Sequence, residues 1–231
     1  MRLRVLSLNV WALPPPIGRD VHERLSLILR DLGSLTWDIG LFQEVWTDEA
    51  REQMIAGGHA LGYPHTWITP GPARGGSGLL ALSRLPIRSS RFRPFSLCGL
   101  PQRLTHMDYY SGKGVARLDV DVAGQSIAVF NTHLHARYAP ATTIDEYQGH
   151  RAAEVIEIAK EIRAVRGPVV AAGDFNMRDS SDEYRVLEGL TGLVDAADEG
   201  RSLGLADVDD VRAAEAGPNP LERSALLESA G

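Results

Sequence analysis

A chain of 231 residues, 44% apolar and 23% charged, suits one large α/β domain with a full core. Its 24 Lys and Arg against 30 Asp and Glu leave a formal charge of −6. That charge weighs against a nucleic-acid partner unless basic side chains or metal gather at one place. A lone cysteine, Cys98, excludes an intrachain disulfide, and no apolar run reaches the roughly 20 residues a membrane-spanning helix requires.

In chain order, Leu3–Asn9 reads as a strand closed by polar Ser7 and Asn9, and Pro14–Pro16 break regular structure. Helical spacing of Val21, Leu25, Ile28, Leu29 and Leu32 predicts an amphipathic helix over Val21–Leu32, ended by Gly33. Trp37–Gln43 is a buried strand that delivers Glu44 at its carboxyl end. Thr47 is the N-cap of a helix over Asp48–Ala56, with Asp48 and Glu49 in its first turn. Gly71–Gly78 reads as a loop, Gly78–Ser83 and Ile87–Phe92 as strands, and Phe95–Lys113 as irregular. Val115–Val122 alternates apolar and charged residues, the mark of a half-buried strand, and Gly124 turns the chain into a strand over Ser126–Thr132. A helix follows near Ile144–Val165, its face built from Tyr147, Arg151, Val155, Ile158, Ile162 and Val165. Pro168–Ala172 is a strand and Tyr184–Leu187 belongs to a short helix. From Asp195 the character changes: Leu203–Glu215 and Leu221–Ala230 read as short surface helices or a disordered tail.

Polar residues recur where these strands end: Asn9, Glu44, His133, and Asp174 with Asn176. A strand buried on both faces cannot hold such groups in its middle, but at its end they can converge on one crevice. Two acids, two carboxamides and an imidazole make a hard-oxygen site suited to magnesium, which takes one or two carboxylates and keeps waters and phosphate oxygens. Each residue alone has an ordinary reading. Asn9 could cap a turn, Glu44 could face the helix dipole near Thr47, His133 could be structural, and Gly173-Asp174-Phe175-Asn176 could be a turn. Their joint occurrence, in order, each after a strand, favours the site.

Leu8-Asn9-Val10-Trp11, Gln43-Glu44-Val45-Trp46, Thr132-His133-Leu134-His135-Ala136 and Gly173-Asp174-Phe175-Asn176 resemble, in order, the motifs of the endonuclease/exonuclease/phosphatase superfamily. Ser77-Gly78-Leu79, Ser111-Gly112-Lys113-Gly114 and Thr191-Gly192-Leu193-Val194-Asp195-Ala196 are similar to segments of its magnesium-dependent neutral sphingomyelinases. The likeness covers about Leu3 to Ala197. It implies an α/β fold: a four-layer, two-sheet β-sandwich flanked by helices, with residues 1–197 as the catalytic domain and 198–231 as an atypical tail. It implies magnesium or manganese as cofactor, with Glu44 as metal ligand and Asn9 beside it as ligand or orienter. His133 would contact the scissile phosphate, Asp174 would orient or deprotonate water or hold a second metal, and Asn176 would bond a phosphate oxygen. Asp108 and Lys113 resemble a substrate-engaging pair in which the aspartate can hold the lysine in a switched state; an ordinary surface ion pair is the alternative. His135 is the lesser histidine of its motif, on the same side as His133 if the strand continues.

The implied reaction is metal-dependent hydrolysis of sphingomyelin to ceramide and phosphocholine, by a monomer in peripheral contact with a phospholipid surface. Trp11, Trp67, Tyr109 and Tyr110 are candidates for that contact, with core packing favoured for Trp67. The resemblance also implies a closing Asp-His pair, and no histidine lies beyond His150. The expectation is therefore an incomplete fold at the carboxyl end, impaired catalysis and an open strand edge that lowers solubility. Two alternatives stand: another phosphodiesterase or nuclease of the same superfamily, and a non-catalytic remnant. No leader pattern is read at Met1–Leu8, and the compartment stays open between secreted and cytoplasmic.

Overall fold

The computed structural model describes residues 2–69, 77–103, 106, 108–138 and 145–202. Its first sheet joins β1 (Val5–Ala12), β2 (Ile39–Val45), β3 (His65–Ile68) and β4 (Leu80–Ser83) in the order β1-β2-β4-β3. The parallel β1–β2 pair is bridged by helix α1 (Val21–Ser34), and β4 runs antiparallel to both neighbours. Helix α2 (Asp48–Ala60) starts as its cap chemistry requires: the Thr47 hydroxyl accepts the Ala50 N–H at 3.1 Å, and Asp48 and Glu49 face the positive end of the helix. The second sheet orders β5 (Ile87–Pro94), β6 (Gly114–Val122), β7 (Gln125–His133) and β8 (Val169–Asp174) in sequence. Its first three strands are antiparallel. Helix α3 (Gln148–Arg163) is the crossover that lets β8 join β7 in parallel, and α4 (Asp182–Thr191) packs beside α3.

Strand alternation sorts the core into layers. Ile39, Leu41 and Ala81 of the first sheet meet Leu118, Val120, Val122, Ile127 and Val129 of the second, with half-buried Trp67 packed against them. The opposite side of the first sheet, with Val10, Phe42, Leu80 and Leu82, packs on Leu25 and Leu32 of α1 and Met54 of α2. The charged members of the β6 alternation, Arg117, Asp119 and Asp121, are only partly covered, as their period demands. Beyond the second sheet, α3 is tied to β5 by Arg93, which lies 2.7 Å from Glu161 and 3.8 Å from Glu157. Two mixed sheets flanked by helices are thus the architecture expected.

Several boundaries differ. Gly33 lies inside α1, its face closed against the Leu61 side chain, and the helix ends one residue later. β1 continues past Asn9 to Ala12 through an irregularity in its pairing with β2. β3 is four residues long, too short for a legible alternation. The segment Phe95–Lys113 carries a 3-10 turn at Asp108–Tyr110. Gly192 onward separates from Met1–Thr191 as its own unit, in which α5 spans Ala196–Ser202. The readings for Leu203–Glu215 and Leu221–Ala230 lie outside the described residues. Among the described residues no helix is long and apolar enough to cross a membrane.

Gly173 has φ 144° where β8 delivers Asp174, and a Cβ there would stand 2.1 Å from the Thr132 carbonyl oxygen of β7. Gly124, at φ 84° in the β6–β7 turn, faces open space. Gly124→Ala is therefore expected to cost about 1 kcal/mol through backbone strain alone. Gly173→Ala should cost more than about 3 kcal/mol, because two paired backbones must part. Urea unfolding of both variants checks the ordering; equal costs would contradict the tight β7–β8 register.

Candidate functional site

The two sheets end at a common rim because β1 and β8, each at the edge of its own sheet, lie against one another. β1 carries Asn9 and β2 carries Glu44 to that rim from the first sheet. The β7–β8 register sets His133 opposite Asp174 on the second. The Asn9 amide nitrogen donates to Glu44 Oε1 at 2.7 Å and to Asp174 Oδ2 at 2.9 Å, and its oxygen accepts the Trp11 N–H at 2.9 Å. His133 Nε2 stands 3.9 Å from Glu44 Oε1 and 3.7 Å from Asp174 Oδ2. One ligand atom from each of Glu44, His133 and Asp174 lies within 4.8 Å of the other two, a set that could hold a metal ion. Asn176 closes the group: its N–H donates to Asp174 Oδ1 at 3.1 Å and its side-chain amide to the Leu134 carbonyl at 3.0 Å.

Backbone conformation is unusual at these positions. Trp11, Glu44 and Asn176 have φ of 49°, 60° and 47°, a region that costs non-glycine residues about 1–3 kcal/mol each and persists only where surroundings enforce it. After Glu44 the Val45 N–H donates to the Gly78 carbonyl at 3.0 Å, and Gly78 itself packs on the Trp46 ring. The Ser77-Gly78-Leu79 segment therefore fixes the exit of β2.

Lys113 and Asp108 are brought to the same place. Both are buried, at 5% and 6% exposure, so the surface-pair reading is overturned. Lys113 Nζ lies 2.7 Å from Asp108 Oδ1, donates to the Leu134 carbonyl at 2.8 Å and reaches His133 Nε2 at 3.1 Å. An ammonium has only donors, so Nε2 of His133 carries the lone pair and Nδ1 the proton. Burial and the neighbouring Lys113 charge hold His133 well below the usual histidine range, which keeps it neutral. Burial raises the Glu44 carboxyl, while the hydrogen bond from Asn9 draws it back down.

The strand does not continue to His135. β7 ends at His133, so the alternation stops there and His135 turns into a separate buried cluster. Its Nε2 is 3.3 Å from Asp108 and its N–H donates to Glu154 at 3.0 Å. Arg151 joins this cluster by donating to the His135 carbonyl at 3.5 Å, and it pairs with Asp145 and Glu183 on its other side. Asp108 Oδ2 also accepts the Ala136 N–H at 3.0 Å. The cluster thus braces the segment that follows His133. Reading the sequence missed Glu154 altogether; the one available signal was Arg151, a charged residue on the predicted apolar face of α3. Arg24 was missed as well. It reaches from α1 to donate to the Val10 and Trp11 carbonyls at 3.2 and 2.8 Å. Between the sheets, Gln43 donates to Asn131 at 2.8 Å, a buried amide pair just behind Glu44.

Residues 6–222 match the Endonuclease/Exonuclease/phosphatase family. Inositol phosphosphingolipids phospholipase C of Schizosaccharomyces pombe is 36% identical over 203 residues, covering 84% of this chain and 46% of that protein. Sphingomyelin phosphodiesterase 2 of Rattus norvegicus is 32% identical over 200 residues, covering 85% of this chain and 46% of that protein. The chain spans under half the length of the curated relatives it matches. A beta toxin mutant of Staphylococcus aureus, solved with bound magnesium ions, is alike in fold, with TM-score 0.69, 19% identity, and coverage of 84% of this chain and 72% of that one.

Burial raises the Glu154 carboxyl from 4.5 to about 7. Between those pH values the folded protein keeps a proton that the unfolded chain has released. The contribution of Glu154 to stability is therefore lost as pH climbs from about 4.5 to about 7, against an opposite contribution from buried His135, held down to about 4, which grows between about 4 and 6.5. Glu154→Gln should remove this loss. Relative to the parent, the variant should gain about 3 kcal/mol between pH 4.5 and pH 8, measured by urea unfolding at both.

Proposed function

The chain belongs to the endonuclease/exonuclease/phosphatase family, and on that basis we propose that it is a metal-dependent phosphodiesterase hydrolysing sphingomyelin to ceramide and phosphocholine. The observation that carries the reading is the convergence of Glu44, Asp174 and His133 on one point, from strands of both sheets. Two carboxylates and a neutral imidazole fit a hard divalent cation, with room left in its coordination for water and phosphate oxygens. Magnesium is the proposed ion, supported by the beta toxin solved with it, and manganese is the alternative. Glu44 and Asp174 would hold the cation, and Asn9, whose amide nitrogen faces both carboxylates, acts as their orienter. When bound, such an ion supplies Lewis-acid stabilisation of charge on a phosphoryl oxygen.

The remaining roles follow from the side chains. The positive charge of the site sits on Lys113, because neighbouring His133 is neutral. His133 is placed beside the scissile phosphate, and charge developing there is offset by Lys113 through space, its three N–H groups being taken by Asp108, His133 and Leu134. Asp174 orients the attacking water or takes its proton; as the new P–O bond forms, the bond from phosphorus to the ceramide oxygen breaks and that oxygen takes a proton from solvent. Asn176 uses the second hydrogen of its amide on a phosphate oxygen, the first being committed to Leu134. Asp108 holds Lys113 in place. A bilayer is the source of substrate, and Tyr109 and Tyr110, 40% and 56% exposed beside Asp108, suit peripheral contact with it.

A second headgroup has its own support: the relative at 36% identity is an inositol phosphosphingolipids phospholipase C. The net charge of −6 disfavours a nuclease.

The test uses vesicles containing sphingomyelin, vesicles containing inositol phosphosphingolipid, and supercoiled plasmid, each with magnesium or with chelator. Slow magnesium-dependent release of phosphocholine is expected, in keeping with the impaired catalysis read from the sequence, and Glu44→Gln should lower it by at least about 100-fold. Release of inositol phosphate alone would move the substrate to the other headgroup. Plasmid nicking without lipid hydrolysis would overturn the proposal.

A further inference from the structure

Arg24 lies on α1, outside every motif that carries the family resemblance, yet it spends its guanidinium on the turn behind Asn9. Its Nη1 donates to the Val10 carbonyl at 3.2 Å, its Nη2 to the Trp11 carbonyl at 2.8 Å and its Nε to the Arg19 carbonyl at 3.3 Å. The guanidinium carbon also sits 5.3 Å from the centre of the Trp11 ring, within range of cation–π attraction. Among the described residues no carboxylate forms an ion pair with it, so its charge is directed at main-chain oxygens and an indole. Arg30 on the same helix is different: it is exposed and pairs with adjacent Asp31.

The turn held in this way is the irregular step of β1. Pairing with β2 runs in register to Asn9 opposite Gln43 and resumes only at Ala12 opposite Val45. In between, Trp11 occupies φ 49°, a conformation an aromatic residue leaves unless neighbours hold it. That conformation sets the Trp11 N–H on Asn9 Oδ1 at 2.9 Å. With the oxygen so engaged, the amide nitrogen must face Glu44 and Asp174. A relaxed turn would withdraw the N–H and free the carboxamide to rotate, bringing its oxygen against two carboxylates.

We propose that Arg24 is a positioning residue that holds the Trp11 turn and, through it, aims the Asn9 carboxamide at Glu44 and Asp174. Its final link, to the cation, rests on the metal-centre reading above.

The experiment pairs two measurements on the purified chain: amide hydrogen exchange at Trp11, and calorimetric titration with magnesium. Arg24→Met should speed Trp11 exchange by about tenfold or more and weaken magnesium binding by about 10–100-fold, the range typical when a ligand-orienting partner is removed. Arg24→Lys keeps the charge near the indole but loses the fork, and should fall between the two. It also carries the test if Arg24→Met does not fold. Arg30→Met should match the parent in both measurements. If exchange quickens in a protein whose parent binds no magnesium, the metal-centre reading fails and the positioning role stands. Exchange at the parental rate in both Arg24 variants overturns the proposal, whatever happens to magnesium. So does unchanged magnesium affinity in both variants of a parent that binds it.

Discussion

One carboxamide joins the two halves of this molecule at its working edge. Glu44 belongs to the first sheet and Asp174 to the second, and both would carry negative charge at a partly buried rim. Bringing them together costs free energy unless something positive or donating lies between them. Asn9 supplies two donors from one nitrogen. The surrounding architecture serves that contact. β1 and β8 are neighbours across the sheet boundary, the Trp11 turn fixes the amide from one side, and the Asn176 N–H fixes Asp174 from the other. The same geometry that relieves repulsion presents two carboxylates and an imidazole to one point.

The strain at the rim is concentrated in three residues with left-handed backbone, each next to or part of the site. Their surroundings offset it with main-chain contacts. Arg24 grips the carbonyls around Trp11, Gly78 accepts the N–H after Glu44, and Leu134 is held by Lys113 and Asn176 at once. Such over-determination is how a constellation of polar groups stays fixed without a packed apolar shell around every member.

Much of this could be read in advance, for a physical reason. Largely buried strands favour polar side chains near their ends, which marked Glu44, His133 and Asp174, whereas Asn9 lies inside β1 beside the irregularity in its pairing and Gln43 and Asn131 are buried amides within strands. The β6 alternation was equally plain, since a period of two has one meaning. Burial within irregular chain has no such period. That is why Asp108 and Lys113, five residues apart in a segment of loops and a 3-10 turn, did not distinguish a surface pair from a buried one. Helix periodicity shows which face turns inward, but not that a charged residue there donates to a carbonyl, as Arg24 does, or accepts a backbone N–H, as Glu154 does, so both stayed hidden. His135 reads as the lesser histidine, on the side of His133 only if the strand continues, and β7 ends two residues before it, at His133.

The buried Gln43–Asn131 amide pair has a wider meaning. Gln43 Nε2 also reaches its own strand at the Leu41 carbonyl, while Asn131 Nδ2 points to the Phe42 and Leu80 carbonyls, so the pair locks the sheets against sliding over one another. Adjacent residues of a strand are about 3.3 Å apart, comparable to the contacts that hold the rim together. A slip of a single residue would break up the Glu44–His133–Asp174 cluster while leaving each sheet intact. The rim therefore works like a vernier: alignment deep between the layers is reported at the surface as the spacing of two carboxylates.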